Sequence, residues 1–452
     1  MQQQLTGRWL RFKPWKSASD VDKLVRQLVD HCAMKVPFYR AAWAEAGVQV
    51  SRIRCAADLP NLPITEREDL MLAGPGRYLR SGVAQRKLVV QHTTGTSGTP
   101  VAVYMSPVEA RFRALTVFRS FRSNAKLSLV GTVADVGPQR KDRTKTIQRF
   151  GTITVVRLFA DMPMEEQMVL LKRHRPMLIE GRPSSLWKLC RAIQETDTHL
   201  EPPRLVVSFG EMLFPHVRRI LQDVFSCAVA DYYNAEEIGN VAWQCPHHPS
   251  RMHVNLGCVW VEIVGRDGST LPWGETGDVV VTNLYNRTMP FVRYAIGDRA
   301  VMFEPGRCSC GYEGPTLGTI DGRDEDFFLL PDGREVSPRE VFAIVNRTLL
   351  TGRVDDVLNR AIIRFQVVQE SVDSLVVHVI PGPDYNEGIW SRFQDNVRTL
   401  HPSMRTRVEC VDSIEPGTPG TKARSIRSLI ETRWGKLRRM DGRGATLQGD
   451  GS

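Results

Sequence analysis

Between Lys87 and Tyr233, apolar segments of strand length alternate with segments whose apolar residues recur at helical spacing. The strand-like segments are KLVVQH, VAVYM, LVGTVADVG, TITVVRLF, MLIEG, RLVVSFG and FSCAVADYY. Helical spacing is found between them, for example from Glu166 to Arg173 and from Ser184 to Gln194. Because successive parallel strands need a long crossover, usually a helix, this alternation predicts an α/β fold with a largely parallel sheet.

The rest of the chain follows different patterns. A single helix is predicted from Val21 to Trp43, ahead of the sheet. Short strand-like segments separated by turn signals predict a β subdomain from Val259 to Phe303, and the composition becomes charged and rich in turns from Gly322 to Gly333. A helix at VSPREVFAIV and a strand at LVVHVI follow. We predict a large N-terminal α/β domain with a β subdomain at 1–322, a small α+β C-terminal domain at 323–433 and a disordered tail at 434–452.

Charge and cysteine content restrict the class of protein. The net charge of +10 admits an anionic partner, but no zinc-finger spacing, aromatic RNA-binding motif or helix-turn-helix pattern accompanies it, so we expect no nucleic-acid binding. No apolar run reaches membrane-spanning length or follows the basic opening segment as a signal peptide would, so no stable membrane insertion is expected. Nine scattered cysteines are typical of reduced thiols in a cytoplasmic protein.

The segment HTTGTSGTP connects two of the strand-like segments and is the first candidate for a functional site. Glycines allow backbone N–H groups to approach phosphate oxygens, and hydroxyl groups add further donors. The candidate phosphate-binding residues are Thr93, Thr94, Gly95, Thr96, Ser97, Gly98 and Thr99. The segment lacks the lysine of a Walker loop, and its composition alone would equally suit a solvated hairpin turn.

A series of motifs decides between these alternatives by its order. The motifs are VPFYRAAWAEAGV, LPITEREDL, HTTGTSGTP, IEGRPSSL, SFGEML, DYYNAEEIGNVAWQC, NLYNRTMPFVRYAIGD, CSCG, IDGRDEDF and PGTPGTKARSIR. In this order, from Val21 to Ile430, they resemble the adenylate-forming acyl-ligase superfamily, and most closely its phenylacetate-CoA ligase and capsule-biosynthesis ligase branch. The resemblance implies the adenylate-forming ligase fold with a mobile C-terminal domain. It also implies ATP-dependent conversion of a small aryl or acyl carboxylic acid to an acyl-adenylate, followed by transfer to coenzyme A.

The resemblance also implies roles for nucleotide-binding residues. Gly210 and Glu211 of SFGEML would present backbone to the adenine, and Tyr232 of DYYNAEE would stack on it. Asp298 of YAIGD would accept hydrogen bonds from the ribose hydroxyls, and Arg323 of IDGR would support the same ribose.

Two further residues carry the chemistry that the resemblance implies. Glu236 matches the glutamate that helps to hold Mg²⁺ on the phosphates, with Glu237 as the alternative by one residue. Lys422 of GTKAR matches the lysine that reaches the acyl phosphate and neutralises charge as pyrophosphate leaves. In the family, the small domain rotates about a hinge that we place near Asp324.

Clustered cysteines and histidines predict a structural Zn²⁺ site. Cys245, Cys308 and Cys310 supply three thiolates, and His248 is the preferred fourth ligand ahead of His253. Some members of the resembled branch carry cysteines at both places. Free buried thiols are the alternative.

Two departures from the family pattern leave the function with alternatives. Tyr233 stands where a glycine follows the motif's tyrosine, and Ala235 stands where serine or threonine precedes the glutamate. The first hypothesis is an AMP-forming acid–CoA ligase. The second keeps adenylation but transfers the acyl group to an amine or to a carrier-protein thiol, and the third is a degenerate nucleotide-binding homologue. Which acid is used, and whether the chain forms a homodimer, stay open.

Overall fold

The computed structural model describes residues 18–93, 101–125, 127, 130–137, 145–323, 326–349, 362–383, 385–390, 393–414 and 425–430. Its helices are α1 (Ala18–Lys35), α2 (Pro37–Glu45), α3 (Arg67–Tyr78), α4 (Pro107–Ala125), α5 (Met164–His174), α6 (Pro183–Glu195), α7 (Pro215–Phe225), α8 (Pro338–Leu349) and α9 (Phe393–Arg398). Within these residues, no helix combines the length and the apolar character needed to span a bilayer.

The strands follow in chain order. They are β1 (Val89–His92), β2 (Ala102–Met105), β3 (Gly131–Val136), β4 (Ile147–Phe150), β5 (Ile153–Leu158), β6 (Leu178–Gly181), β7 (Leu205–Phe209), β8 (Ala228–Ala235), β9 (Gly239–Gln244), β10 (Met252–Val254), β11 (Val259–Val264), β12 (Thr276–Asn283), β13 (Tyr294–Arg307), β14 (Glu313–Leu317), β15 (Gly322–Arg323), β16 (Phe328–Leu329), β17 (Glu335–Val336), β18 (Ile362–Ser371), β19 (Ser374–Pro381), β20 (Arg405–Cys410) and β21 (Ile426–Ser428).

One extended sheet forms the large part of the molecule. Its strands lie in the order β11-β12-β13-β14-β10-β9-β8-β7-β6-β3-β5-β4, with β15 paired to β13. Neighbouring strands pair in parallel along β5-β3-β6-β7-β8. They pair antiparallel along β8-β9-β10-β14-β13-β12-β11. The α/β unit and the β subdomain predicted from the sequence are therefore both present, joined in one sheet.

Separate apolar clusters hold the layers together. On one face of the parallel strands, helices α5, α6 and α7 bury residues such as Leu186 and Leu221, and on the other face Phe121 of α4 packs near Tyr232 and Trp243. Helices α1 and α2 pack with the antiparallel strands in a third cluster. The side chains that close the carboxyl ends of β6, β7 and β8 are thus fixed from both faces.

A smaller sheet follows the extended one along the chain. Its order is β20-β19-β18-β21, and it has its own cluster of buried residues, including Phe328, Val377 and Phe393. An independent core is the mark of a separate folding unit.

The strand and helix pattern predicted from the sequence is confirmed, with one correction near the N-terminus. The single helix predicted from Val21 to Trp43 is two helices, because Val36 is extended (φ −112°, ψ 109°) and Pro37 begins α2. A proline disfavours helical backbone at the residue before it, which accounts for the break.

Candidate active site

A cavity of about 1110 Å³ opens at the carboxyl ends of β6, β7 and β8. This is the position at which open α/β sheets bind their ligands. The predicted site residues that line it are Thr93, Gly210, Glu211, Tyr232, Glu236, Asp298 and Arg323. The predicted residues Thr94, Gly95, Thr96, Ser97, Gly98, Thr99 and Lys422, and the hinge residue Asp324, lie outside the described residues.

The stem of the glycine-rich segment ends at this cavity. Strands β1 and β2 pair antiparallel up to His92 and Ala102, and Thr93 and Val101 continue the pairing through an N–H···O bond of 3.0 Å. The Thr93 hydroxyl accepts a bond from the Val101 N–H (2.9 Å) and one from Arg67 Nη1 (3.4 Å). The segment therefore leaves its hairpin from a buried base that borders the cavity.

Adjacent tyrosines of β8 take opposite faces of the sheet. Tyr232 packs against Phe121 and accepts a 3.4 Å bond from Asn124 Nδ2, in the cluster beneath α4. Tyr233 donates its hydroxyl proton to Asp298 Oδ2 at 2.8 Å. Both line the cavity, and of the two it is Tyr233 that contacts Asp298, the carboxylate expected to bind ribose.

Asp298 and Arg323 are neighbours through their backbones. Strands β13 and β15 place them directly opposite each other, with Arg323 Nε 3.8 Å from Asp298 Oδ1. The other carboxylate oxygen holds the Tyr233 hydroxyl. Burial, followed by the negative charge of Asp298, raises the pKa of Tyr233 well above its usual value, so its phenol stays protonated and remains a donor.

The adjacent residues Glu236 and Glu237 also differ in their contacts and in their exposure to solvent. Glu236 Oε1 lies 3.6 Å from Arg113 Nη2, and its side chain is 39% exposed. Glu237 is 11% exposed and its Oε1 accepts the Tyr294 hydroxyl at 3.0 Å. Arg67 Nη1, which contacts Thr93, is also 3.7 Å from Glu237 Oε1. Glu237 is therefore the carboxylate beside the base of the glycine-rich segment, which favours the alternative to Glu236.

Gly210 and Glu211 form the edge beyond β7. Gly210 has φ of 76°, a left-handed backbone that glycine adopts without steric cost, and it lies between the end of β7 and the beginning of α7. The Glu211 carboxylate accepts the Ser184 N–H at 3.2 Å at the beginning of α6.

Asp231 is a cavity residue that the sequence interpretation missed. Burial raises its pKa to about 7, against the opposing effect of Arg218. The signal that could have identified it is the two-residue period of a strand, which puts Asp231 on the same face as Tyr233.

The small sheet supplies another wall of the cavity. Arg364 and Phe365 of β18 line it, as do Ser425 and Ile426 where β21 begins, and Arg339 and Phe342 of α8. Strand β21 pairs in parallel with β18 through Val367 and Ile426. The segment that contains Lys422 therefore leads directly into a strand that borders the cavity.

The predicted metal cluster has a different histidine from the preferred one. Ligand atoms of Cys245, His253, Cys308 and Cys310 all lie within 4.8 Å of one another. The Cys245 and Cys308 sulfurs are 3.5 Å apart, and Cys310 Sγ is 3.6 Å from His253 Nε2. His248 Nε2 instead contacts the Ser309 hydroxyl at 3.3 Å. Pairing of β10 with both β9 and β14 brings His253 close to the turn that contains Cys308 and Cys310. His248 lies in an exposed turn.

The chain is similar to known proteins in both sequence and fold. No protein-family model matches the chain. The chain is 26% identical over 350 residues to a phenylacetate-coenzyme A ligase of Thermus thermophilus, covering 72% of this chain and 74% of that protein. It is 21% identical over 257 residues to Protein CapK of Staphylococcus aureus, covering 56% and 53% of the two chains.

The fold is that of a solved 2-hydroxyisobutyryl-CoA ligase. In that enzyme's postadenylation state, in complex with R3-HIB-AMP, the TM-score is 0.74 at 19% identity, with 96% of this chain and 94% of that chain covered. In its thioesterification state, with 2-HIB-AMP and CoA, the same coverage gives a TM-score of 0.61. At equal coverage, the TM-score is therefore higher against the postadenylation state than against the thioesterification state.

Proposed function

We propose that this chain, a homologue of the phenylacetate-CoA ligases and of CapK with the fold of adenylate-forming CoA ligases, activates a carboxylic acid with ATP and transfers the acyl group to coenzyme A. The observation that carries the proposal is the single cavity shared by Thr93, Tyr233, Asp298, Arg323 and Glu237. It combines a hydroxyl at the base of a glycine-rich segment, a ribose acceptor with its arginine and a buried carboxylate.

The reaction balances without a protein nucleophile. A carboxylate oxygen of the acid attacks the α-phosphorus of ATP, and the bond from that phosphorus to the pyrophosphate oxygen breaks. The coenzyme A sulfur, as thiolate, then attacks the acyl carbon, and AMP leaves with the electron pair of the C–O bond. The protein contributes orientation and charge stabilisation.

In this proposal, the face of β8 that bears Tyr233 binds the adenosine part of ATP. Its ring stacks on the adenine, and its hydroxyl holds one oxygen of Asp298 so that the other faces a ribose hydroxyl, with Arg323 alongside. Asp231, an acceptor on the same face, suits the exocyclic amine of adenine.

In this proposal, the phosphates of ATP lie beside Thr93 and Glu237. A carboxylate and hydroxyl oxygens are the hard donors that Mg²⁺ prefers, and the contacts of Glu237 with Arg67 and Tyr294 support it as the acid that helps to hold this ion. When bound, Mg²⁺ would neutralise charge on the phosphate oxygens. Arg67 contacts both Thr93 and Glu237 and orients them.

Lys422 supplies the positive charge at the reacting phosphate. Sequence proximity supports this role, because Ser425 lines the cavity and Lys422 precedes it by three residues, which span at most about 11 Å. An ammonium on a long side chain then needs only a short reach.

The Tyr233 assignment predicts a difference between two adjacent tyrosines. Tyr233→Phe removes a hydrogen bond to a carboxylate and should raise the KM for ATP about tenfold with little change in kcat. Tyr232→Phe, which loses the bonds with Ser120 and Asn124 and leaves Asp298 untouched, is the matched control and should stay within about twofold. Steady-state kinetics measure both, and a larger effect for Tyr232→Phe would restore the original assignment.

Pyrophosphate release from ATP with a panel of aryl and acyl acids tests the function itself. Release that depends on the acid, together with a coenzyme A thioester, supports the proposal. Release without a thioester points to an amine or a carrier-protein thiol as acceptor. No release with any acid would leave the degenerate-homologue hypothesis.

A structural Zn²⁺ ion is the second part of the proposal. Three thiols and an imidazole nitrogen within 4.8 Å form a donor set that suits tetrahedral zinc, and all nine cysteines are free of disulfides. His253 is fully buried, and its Nδ1 has no hydrogen-bond partner among the described residues, so the ring is held by packing against Tyr312. Zinc there would tie the end of β9 to the turn between β13 and β14.

The zinc assignment predicts which histidine matters. The purified protein should contain about one zinc per chain, and Cys308→Ser should lose it and lower the melting temperature by at least about 5 °C. His248→Ala should retain both the metal and the melting temperature. Metal analysis and thermal unfolding measure these outcomes; a wild-type protein that stays free of zinc after incubation with Zn²⁺ would favour the free-thiol alternative.

A further inference from the structure

Glu335 joins the two predicted domains. It lies in β17, within the predicted unit 323–433, and each of its carboxylate oxygens has its own arginine from the predicted unit 1–322. Arg266 Nη2 is 2.9 Å from Oε1, and Arg299 Nη1 is 2.9 Å from Oε2. The side chains of Glu335 and Arg299 are only 12% and 15% exposed, so water screens this pair less than an ordinary surface pair.

The strand that holds Arg299 also holds the proposed ribose acceptor. Asp298 and Arg299 are consecutive in β13, so their side chains leave opposite faces. Asp298 turns to the cavity, where it contacts Tyr233, whereas Arg299 turns to Glu335 and lies 4.7 Å over the ring of Phe327. The interdomain contact is thus fixed to the same element as the nucleotide site.

A second contact between the units lies at the cavity rim. The rings of Phe214, before α7, and Phe342, in α8, are stacked with centroids 3.3 Å apart and planes at 12°. Arg339 of α8 donates to the Ile320 carbonyl at 3.1 Å. These contacts and the Glu335 pair exist together in the arrangement that brings Arg364 and Ser425 to the cavity.

Rotation of the small unit would break the Glu335 contacts. Arg299 is inside β13 and Arg266 lies two residues after β11 in the large unit, whereas Glu335 moves with the small unit. The arrangement seen here also resembles the postadenylation state of the solved ligase more than its thioesterification state. The charged clamp therefore lowers the free energy of only one of the two arrangements that the reaction needs.

We propose that Glu335 is a positioning residue, an interdomain latch that clamps Arg266 and Arg299 to hold the small domain over the cavity for adenylation and releases it for thiol transfer. This rests on the proposed function. The latch sets the balance between the two half-reactions, since loss of a contact made in one arrangement shifts the population towards the other.

The test compares two Glu→Gln variants of the small unit. Glu335→Gln removes the clamp. Glu370→Gln is the matched control, because Glu370 also pairs with an arginine, Arg407, but within the small unit. Label pairs on non-natural amino acids at the exposed positions Glu195 and Asp395, one in each unit, report the interdomain distance without any turnover.

Relative to the arrangement described here, Glu335→Gln should raise about tenfold the population of molecules whose label distance reports the other, unclamped arrangement. Glu370→Gln should leave this ratio at the wild-type value. The ratio of acyl transfer from a supplied acyl-adenylate to adenylate formation should rise about three- to tenfold in Glu335→Gln alone. An unchanged distance distribution overturns the latch, and so does a changed distribution with an unchanged ratio. If the wild type forms no adenylate, the proposed function fails, and the distance measurement by itself still decides whether Glu335 holds the domains.

Discussion

Glu237→Gln is expected to reduce the rate of ATP-dependent pyrophosphate release by about 10²–10³-fold. Glutamine keeps the shape of the side chain and can still accept the Tyr294 hydroxyl, so the fold should persist. It removes the negative charge that would hold Mg²⁺ beside the base of the glycine-rich segment, and an amide oxygen binds such a cation far less strongly. Stopped-time assays of pyrophosphate at saturating ATP and acid measure the loss, and raising Mg²⁺ should recover part of it.

Glu236→Gln is the control for this prediction because it changes the neighbouring carboxylate. Glu236 faces Arg113 and is much more exposed, so the rate should fall by less than about fivefold. Equal melting temperatures for both variants would confirm that folding is unaffected. A larger loss in Glu236→Gln would return the magnesium role to the residue first assigned from the sequence.

Lys422→Ala is expected to separate the two half-reactions. Adenylate formation should fall about 10²–10³-fold, because the charge that builds on the phosphate oxygens loses its mobile counter-charge. Transfer of the acyl group from a supplied acyl-adenylate to coenzyme A should stay within about threefold, since that step expels AMP rather than pyrophosphate. Pyrophosphate release measures the first step and thioester formation the second.

The matched control for Lys422→Ala is Arg427→Ala, which removes an exposed positive charge from the neighbouring strand β21. This change should leave both half-reactions within about twofold, as expected of a solvated surface charge. Equal losses in both half-reactions of Lys422→Ala would show that the residue acts on binding or folding rather than on adenylation. A loss confined to thiol transfer would contradict its assignment altogether.

The pattern of elements was accessible from the sequence because local periodicity reports local geometry. Segments such as RLVVSFG and MLIEG became the parallel strands β7 and β6, and the helical spacing from Ser184 to Gln194 became α6. The break at Pro37 was missed although its cause is local, since the apolar spacing of α1 continues past Val36 into α2.

The candidate site was predicted only in part. The residues that line the cavity come from segments as far apart as Thr93 and Arg323, and the order of motifs identified both. Motif order did not determine which of Tyr232 and Tyr233 contacts Asp298, or which of Glu236 and Glu237 contacts Arg67. A one-residue offset on a strand turns the side chain to the opposite face, and packing of Tyr232 beneath α4 decides that face.

Patterns that are local along the chain were enough to predict the α/β class and the glycine-rich segment between two strands, because each depends on residues that are close in sequence. Tertiary packing alone brings Tyr233 to Asp298, Arg67 to both Glu237 and Thr93, His253 rather than His248 to the cysteines, and Glu335 to Arg266 and Arg299. Each of these contacts joins side chains from different elements. Strand pairing and the burial of one sheet face fix them, and neither is a property of local spacing.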